Sequence, residues 1–211
     1  IKSFKFFKEV ILPQIKLEDI HAIKKWDHET NKVIYDKKIF DESKSSWVRV
    51  VNYPQKQIPS AQESFRAFDQ FFDIFFDKET KFTIVSVTHY SPIIAKQWTE
   101  VITNGINQTI RAKEKKRTLL SIEFLNNQTK KTNLSEIKDS LFQLTQQELK
   151  KLMIIESNDD YVYQILEPPT VPELKSSPNR KLIMFICIVL GSVIGLSVSI
   201  IKNFYKTFLQ I

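Results

Sequence analysis

The chain has 211 residues, enough for one folded domain and too few for two large ones. With 42% hydrophobic and 26% charged residues it is neither a wholly disordered chain nor a polytopic membrane protein. One cysteine excludes an internal disulfide framework, and three glycines leave no room for a Gly-rich phosphate loop.

In chain order, residues 1–90 mix helix and strand signals. Phe4, Phe7, Lys8 and Ile11 recur at helical spacing, and Pro13 ends that run. KVIYDKKIF (32–40) and WVRVV (47–51) are β-rich runs. Pro59-Ser60 opens a helix carrying Phe65, Phe68 and Phe72. The run 73–76, the polar turn Asp77-Lys78-Glu79-Thr80 and KFTIVSVTH (81–89) predict a β-hairpin.

Ser91-Pro92 is a helix start, because serine caps and proline is preorganised for the first position. From Pro92 to about Thr129 an apolar stripe runs through Ile94, Trp98, Ile102, Ile106 and Ile110, then resumes at Leu119, Ile122 and Leu125. Between them RAKEKKRT (111–118) is polar on all faces, so this helix cannot be buried along its length and must project. Lys130–Asn133 breaks it. A second helix from about Leu134 to Glu156 carries Ile137, Leu141, Leu144, Leu152 and Ile155 and predicts a packed helical hairpin. Residues 91–157 are thus expected to form a long arm.

Residues 158–180 are read as a return strand (YVYQIL) and a Pro-rich stretch with Pro168, Pro169, Pro172 and Pro178, extended and stiff. From Leu182 to Ile201 no residue is charged, and Arg180, Lys181 and Lys202 flank the run. Twenty residues of helix rise ~30 Å, so 181–202 is expected to be a transmembrane helix, with 203–211 a short tail. Gly191 and Gly195 form GxxxG, a spacing that lets helices approach closely in a membrane.

No catalytic constellation emerges. His21, His28 and His89 are scattered, no metal-ligand spacing occurs, and neither a cofactor nor a catalytic residue is expected. Charge is concentrated instead. Residues 108–131 hold seven basic and two acidic residues, with Arg111, Lys113, Lys115, Lys116 and Arg117 at the centre. This segment is either a solvated helix face or a contact for an anionic glycan, a lipid phosphate or a neighbouring subunit. Nucleic acid is not expected, since no aromatic-basic platform accompanies the charge.

Three stretches together resemble a known family. SVTHYSPIIAKQWTEVI (86–102) ahead of a long charged helix, WDHETNKVIYDKKIF (26–40) with PSAQESFRAFDQFF (59–72), and DDYVYQILEPPTVPELKSSPNRKLI (159–183) are similar to the Wzz-type polysaccharide co-polymerases, the O-antigen chain-length determinants. The resemblance implies an α+β architecture: a periplasmic α/β base (1–90), a projecting helical arm, and a multi-pass anchor in the bacterial inner membrane, with a first span upstream of Ile1. It also implies a ring-like homo-oligomer, not an enzyme, that sets lipopolysaccharide O-antigen modal length through the O-antigen polymerase, the growing lipid-linked polysaccharide and the inner membrane. Two other classes are weighed against it. One is the membrane adaptor of capsule or exopolysaccharide export without its kinase domain; the other is a generic membrane-anchored coiled-coil adaptor.

Overall fold

The computed structural model describes the backbone of residues 2–177 and 179–208, and side chains as far as 198 apart from those of 178, 180 and 196. It divides into two units, 1–171 and 172–211.

The first unit opens with a short helical run, α1 (Phe4–Phe6), continued by a wider turn over Phe7–Ile11 and a tighter one over Leu12–Gln14 that contains Pro13. Ser3 caps it, its hydroxyl accepting from the N–H of Phe6. α2 (Leu17–His21) leads into three antiparallel hairpins: β1 (Ile23–Asp27) with β2 (Lys32–Tyr35), β3 (Phe40–Asp41) with β4 (Ser46–Trp47), and, after α3 (Ala61–Phe68), β5 (Phe72–Phe76) with β6 (Thr83–Val87). Among the described residues each sheet has two strands. Strand β1, IKKWD, has only Ile and Trp to set against three charged residues, which is why its pattern gives no sequence signal.

One turn chemistry closes all three hairpins. Asp27 accepts from the N–H of Glu29 and the hydroxyl of Thr30, and Asp77 does the same with Glu79 and Thr80. Asp41 accepts from the N–H and hydroxyl of Ser43. In each case the residue four positions on, Asn31, Ser45 or Lys81, has a left-handed backbone with φ of 55°, 47° and 63°. The aspartate locks the tight part of the turn and the left-handed residue re-aims the chain for antiparallel pairing. These serine and threonine hydroxyls and backbone N–H groups hold all three carboxyls below the usual aspartate range.

The core gathers Phe7, Ile11, Ile20, Phe68, Phe72, Trp98, Ile102 and Ile106. The rings of Phe7 and Phe68 lie 5.2 Å apart, as do those of Phe68 and Trp98. Four helical segments and one hairpin therefore meet in one core with an aromatic centre, which buries far more area than a two-stranded sheet can alone.

α4 (Pro92–Lys131) begins in that core and outruns it. Ser91 caps it with its hydroxyl on the N–H of Ile94. Forty residues rise ~60 Å. Its first four turns bury Ala95, Trp98, Ile102 and Ile106 in the base; beyond them it is packed by α5 (Ser135–Ser157), which returns antiparallel. The break is at 132–134 and overlaps the expected 130–133, but Lys130 and Lys131 still belong to α4.

Besides Phe72, which is in β5 and not on the helix with Phe65 and Phe68, and WVRVV (47–51), which is strand only at Trp47, two expectations need correction. YVYQIL at 161–166 has strand-forming residues yet forms no strand. Its polar groups are spent on α4 instead: the Val162 N–H donates to Asn107 Oδ1 and the Tyr163 hydroxyl to the Thr103 carbonyl. The second correction concerns the membrane. Residues 180–208 are helical, as α6 (Arg180–Phe208), but among the described residues no helix is long and apolar enough to cross a membrane. The transmembrane helix at 181–202 and the inner-membrane, multi-pass location drawn from it are corrected on that finding. The tail expected at 203–211 is helical as far as Phe208, and its last three residues lie outside the described ones.

Candidate functional site

The five cations at 111–117 divide into two groups according to the face of α4 on which they fall. Arg111 and Lys115 face the returning helix. Arg111 donates from Nε to the carbonyl of Ile155 at 2.8 Å and from its terminal nitrogens to the carbonyl of Glu156 at 3.0 Å and the Asp159 carboxylate at 2.8 Å. One guanidinium thus satisfies the carbonyl end of α5, where a helix leaves acceptors without partners and favours positive charge. Lys115 pairs with Glu156 at 2.7 Å, and Lys151 with Glu114 at 2.8 Å in the reverse sense. These lysines hold both glutamates below the ordinary carboxylate range.

Lys113, Lys116 and Arg117 point away from that seam and enter no ion pair among the described residues. With Leu120, Ser121 and Phe124 they line an open hollow of about 500 Å³ on the outer side of α4. Leu120 is 57% and Phe124 60% exposed, so the surface is cationic at one end and apolar at the other.

α5 carries more apolar rows than a two-helix hairpin needs. The row toward α4 runs through Leu141, Thr145, Leu152 and Ile155, with Ile155 fully buried. One position on, Phe142, Leu149 and Met153 form a second row, and all three are exposed, as are Ile137, Leu144 and Ile154. Phe142, Leu149 and Met153 follow at steps of seven and four, which keeps them to one side of the helix, so this exposed row is a seam of the kind a further helix fills. The sequence signal for this was present in the same heptad steps, but periodicity alone does not say which row α4 occupies.

The seam itself holds one misfit. Thr118 is fully buried, and its hydroxyl has no hydrogen-bond partner among the described residues.

Pro168 and Pro172 are exposed and Pro169 half-buried, all outside any helix or strand; Pro178 lies outside the described residues. Gly191 and Gly195 sit on α6 with nothing within 4 Å of the place where a side chain would stand. The glycine that the structure uses for close approach is the third, Gly105, where α4 meets the N-terminal run.

No protein-family model matches this chain, and no curated protein matches it in sequence.

Proposed function

We propose that the chain is a non-catalytic, self-assembling scaffold that sets the modal length of lipopolysaccharide O-antigen, in the manner of the Wzz-type co-polymerases it resembles. In this reading copies pack side by side, and the assembly acts on the O-antigen polymerase and its growing lipid-linked glycan. The observation that supports it most is the arm: α4 and α5 bury one shared row, while α5 leaves a second apolar row, Phe142, Leu149 and Met153, exposed. An unfilled seam of this kind suits a helix of a neighbouring copy.

Deleting the gene from a smooth-lipopolysaccharide strain and resolving the lipopolysaccharide on a gel tests the reading. Loss of the modal cluster is expected; an unchanged ladder removes it. The native mass discriminates further, since a ring of many subunits fits the co-polymerase, whereas a dimer or trimer fits a simple helical adaptor.

A further inference from the structure

His89 lies between the base and the root of the arm, and both of its ring nitrogens are engaged. Nδ1 accepts the backbone N–H of Ser91 at 3.1 Å, which puts the ring proton on Nε2; Nε2 then donates to the backbone carbonyl of Asp19 at 3.1 Å. The ring packs 4.7 Å from Trp98 and 5.7 Å from Phe71. One imidazole therefore joins α2, the approach to β5 and the first turns of α4. Ser91 is itself 2% exposed and is the cap of α4, so the bond to its N–H fixes the helix start as well as the histidine.

The arrangement works in one protonation state. A proton on Nδ1 turns an acceptor into a donor and sets it against the Ser91 N–H. The nearest acceptor for the new N–H is the Ser91 carbonyl at 3.3 Å, and reaching it requires the capping peptide to turn. The charge would also stand, buried, at the N-terminus of a 40-residue helix, the end that the macrodipole makes unfavourable for cations. Among the described residues the charged group facing the ring is Asp19 of α2, and its carboxylate is already engaged by the Tyr35 hydroxyl at 2.6 Å. Tyr35 is held neutral, burial and that carboxylate pushing its phenol above the usual range. Tyr90 meets the ring edge-on at 6.4 Å and brings no charge.

We propose that His89 is a proton-operated latch, holding the root of α4 to α2 while neutral and releasing it in acid. The proposal stands on the base alone and does not depend on the chain-length reading. Its direction follows from linkage. Burial keeps His89 below the ordinary histidine value of 6.5, with the Asp19 and Ser91 hydrogen bonds opposing. The latch is at full strength above 6.5 and weakens as pH falls below it toward the lowered folded value. His21 titrates with the same sign: burial lowers it, the Glu63 carboxylate opposes and Arg49 adds to the lowering. The test must therefore read the root locally.

Amide hydrogen exchange of the full chain, expressed as protection factors, at about pH 7.5 and about pH 5 provides that reading. In the wild type, protection over 91–98 should fall by about tenfold for each unit of pH below the ordinary histidine value, while 135–150 at the far end of the arm is unchanged. His89→Gln, which keeps a donor toward Asp19 and cannot take a proton, should show the same protection at both pH values. Equal wild-type protection at the root in both conditions overturns the proposal, as does an equal fall along the whole chain or an acid loss retained in His89→Gln. Should that variant fail to fold, the wild-type ring resonance of His89 decides. Protection at 91–98 should fall between the ordinary histidine value and the lower pH at which the ring itself titrates, and level off there; a fall confined to any other range, or none in that range, overturns the latch.

Discussion

Gly105 and Val10 touch so closely that a β-carbon on Gly105 would stand 2.5 Å from Val10 Cγ1, well inside contact distance, with the Phe6 ring next at 3.5 Å. The N-terminal run crosses α4 at this point, and the missing side chain is what brings Phe7 and Ile11 within reach of Ile102 and Ile106. Gly105→Ala should therefore destabilise the base even though alanine is the better helix former. Overpacking of a stiff valine costs ~1–3 kcal/mol, against ~1 kcal/mol returned by helix propensity. Thermal melting of Gly105→Ala beside Gly105→Ala/Val10→Ala checks the cause: trimming Val10 should return part of the loss, and a double variant no better than the sum of the singles would refute the clash.

Within the basic segment, Arg111 and Lys115 should behave differently. Arg111→Ala removes two hydrogen bonds to the carbonyl end of α5, each worth ~0.5–1.5 kcal/mol, so a clear fall in melting temperature is expected. Arg111→Lys should recover little of it, because one ammonium cannot reproduce the fork. Lys115→Ala breaks a pair whose side chains are 47% and 53% exposed and should leave the melt nearly unchanged. Equal effects would contradict the division of the segment into seam and outer face.

Lys113, Lys116 and Arg117 are the outer cations, and changing all three to Glu should not alter the melt, since glutamate and lysine are comparable helix formers. Under the chain-length reading the same variant should shift or broaden the modal cluster on a lipopolysaccharide gel. A wild-type ladder would make this a solvated face and nothing more.

Thr118→Val should stabilise the arm. The substitution keeps the shape and removes a buried hydroxyl that lacks a partner, a burden of ~1–3 kcal/mol. Thr118→Ser keeps the hydroxyl and opens a gap, so it should melt below the wild type. The ordering Val, Thr, Ser in a melt of the full chain is the expected result.

Arg49 and Glu63 form a double hydrogen-bonded ion pair, with side chains 12% and 22% exposed. Arg49 also donates to the carbonyls of Lys56 and Gln57, fastening the loop ahead of α3. Its guanidinium holds the Glu63 carboxyl below its usual value. A carboxylate lowered on folding adds stability above its unfolded value of about 4.5, and that stability is lost as pH falls through the folded value. Arg49→Ala should thus lose ~1.5–3 kcal/mol near neutral pH, and the gap from the wild type should narrow in acid. A gap independent of pH would mean that packing on Trp47, not the ion pair, is what Arg49 supplies.

The sequence by itself determined the elements whose cause is local. Ser91-Pro92 fixed the start of α4, because a cap and a preorganised φ act within one turn, and the polar stretch 130–133 marked the hairpin break to within two residues. The same holds for β5–β6, whose alternation and Asp77 turn need no distant partner. The left-handed residue four positions after each of Asp27, Asp41 and Asp77 was not legible, since nothing in one dimension marks Lys81 or Ser45 as left-handed. Tertiary structure alone decided which contacts those elements make. YVYQIL has the composition of a strand, but Thr103 and Asn107 capture its hydrogen-bonding groups before any ladder forms. The GxxxG pair drew notice by its spacing, while Gly105, with no motif around it, is the glycine under a crossing helix. The five cations of the arm read as one charge run; the 100° turn between successive residues of α4 separates Arg111 and Lys115 from Lys113, Lys116 and Arg117, and only the position of α5 says which group is neutralised. Local propensity sets where helices and turns occur, whereas pairing partners are set by burial between residues far apart in the chain.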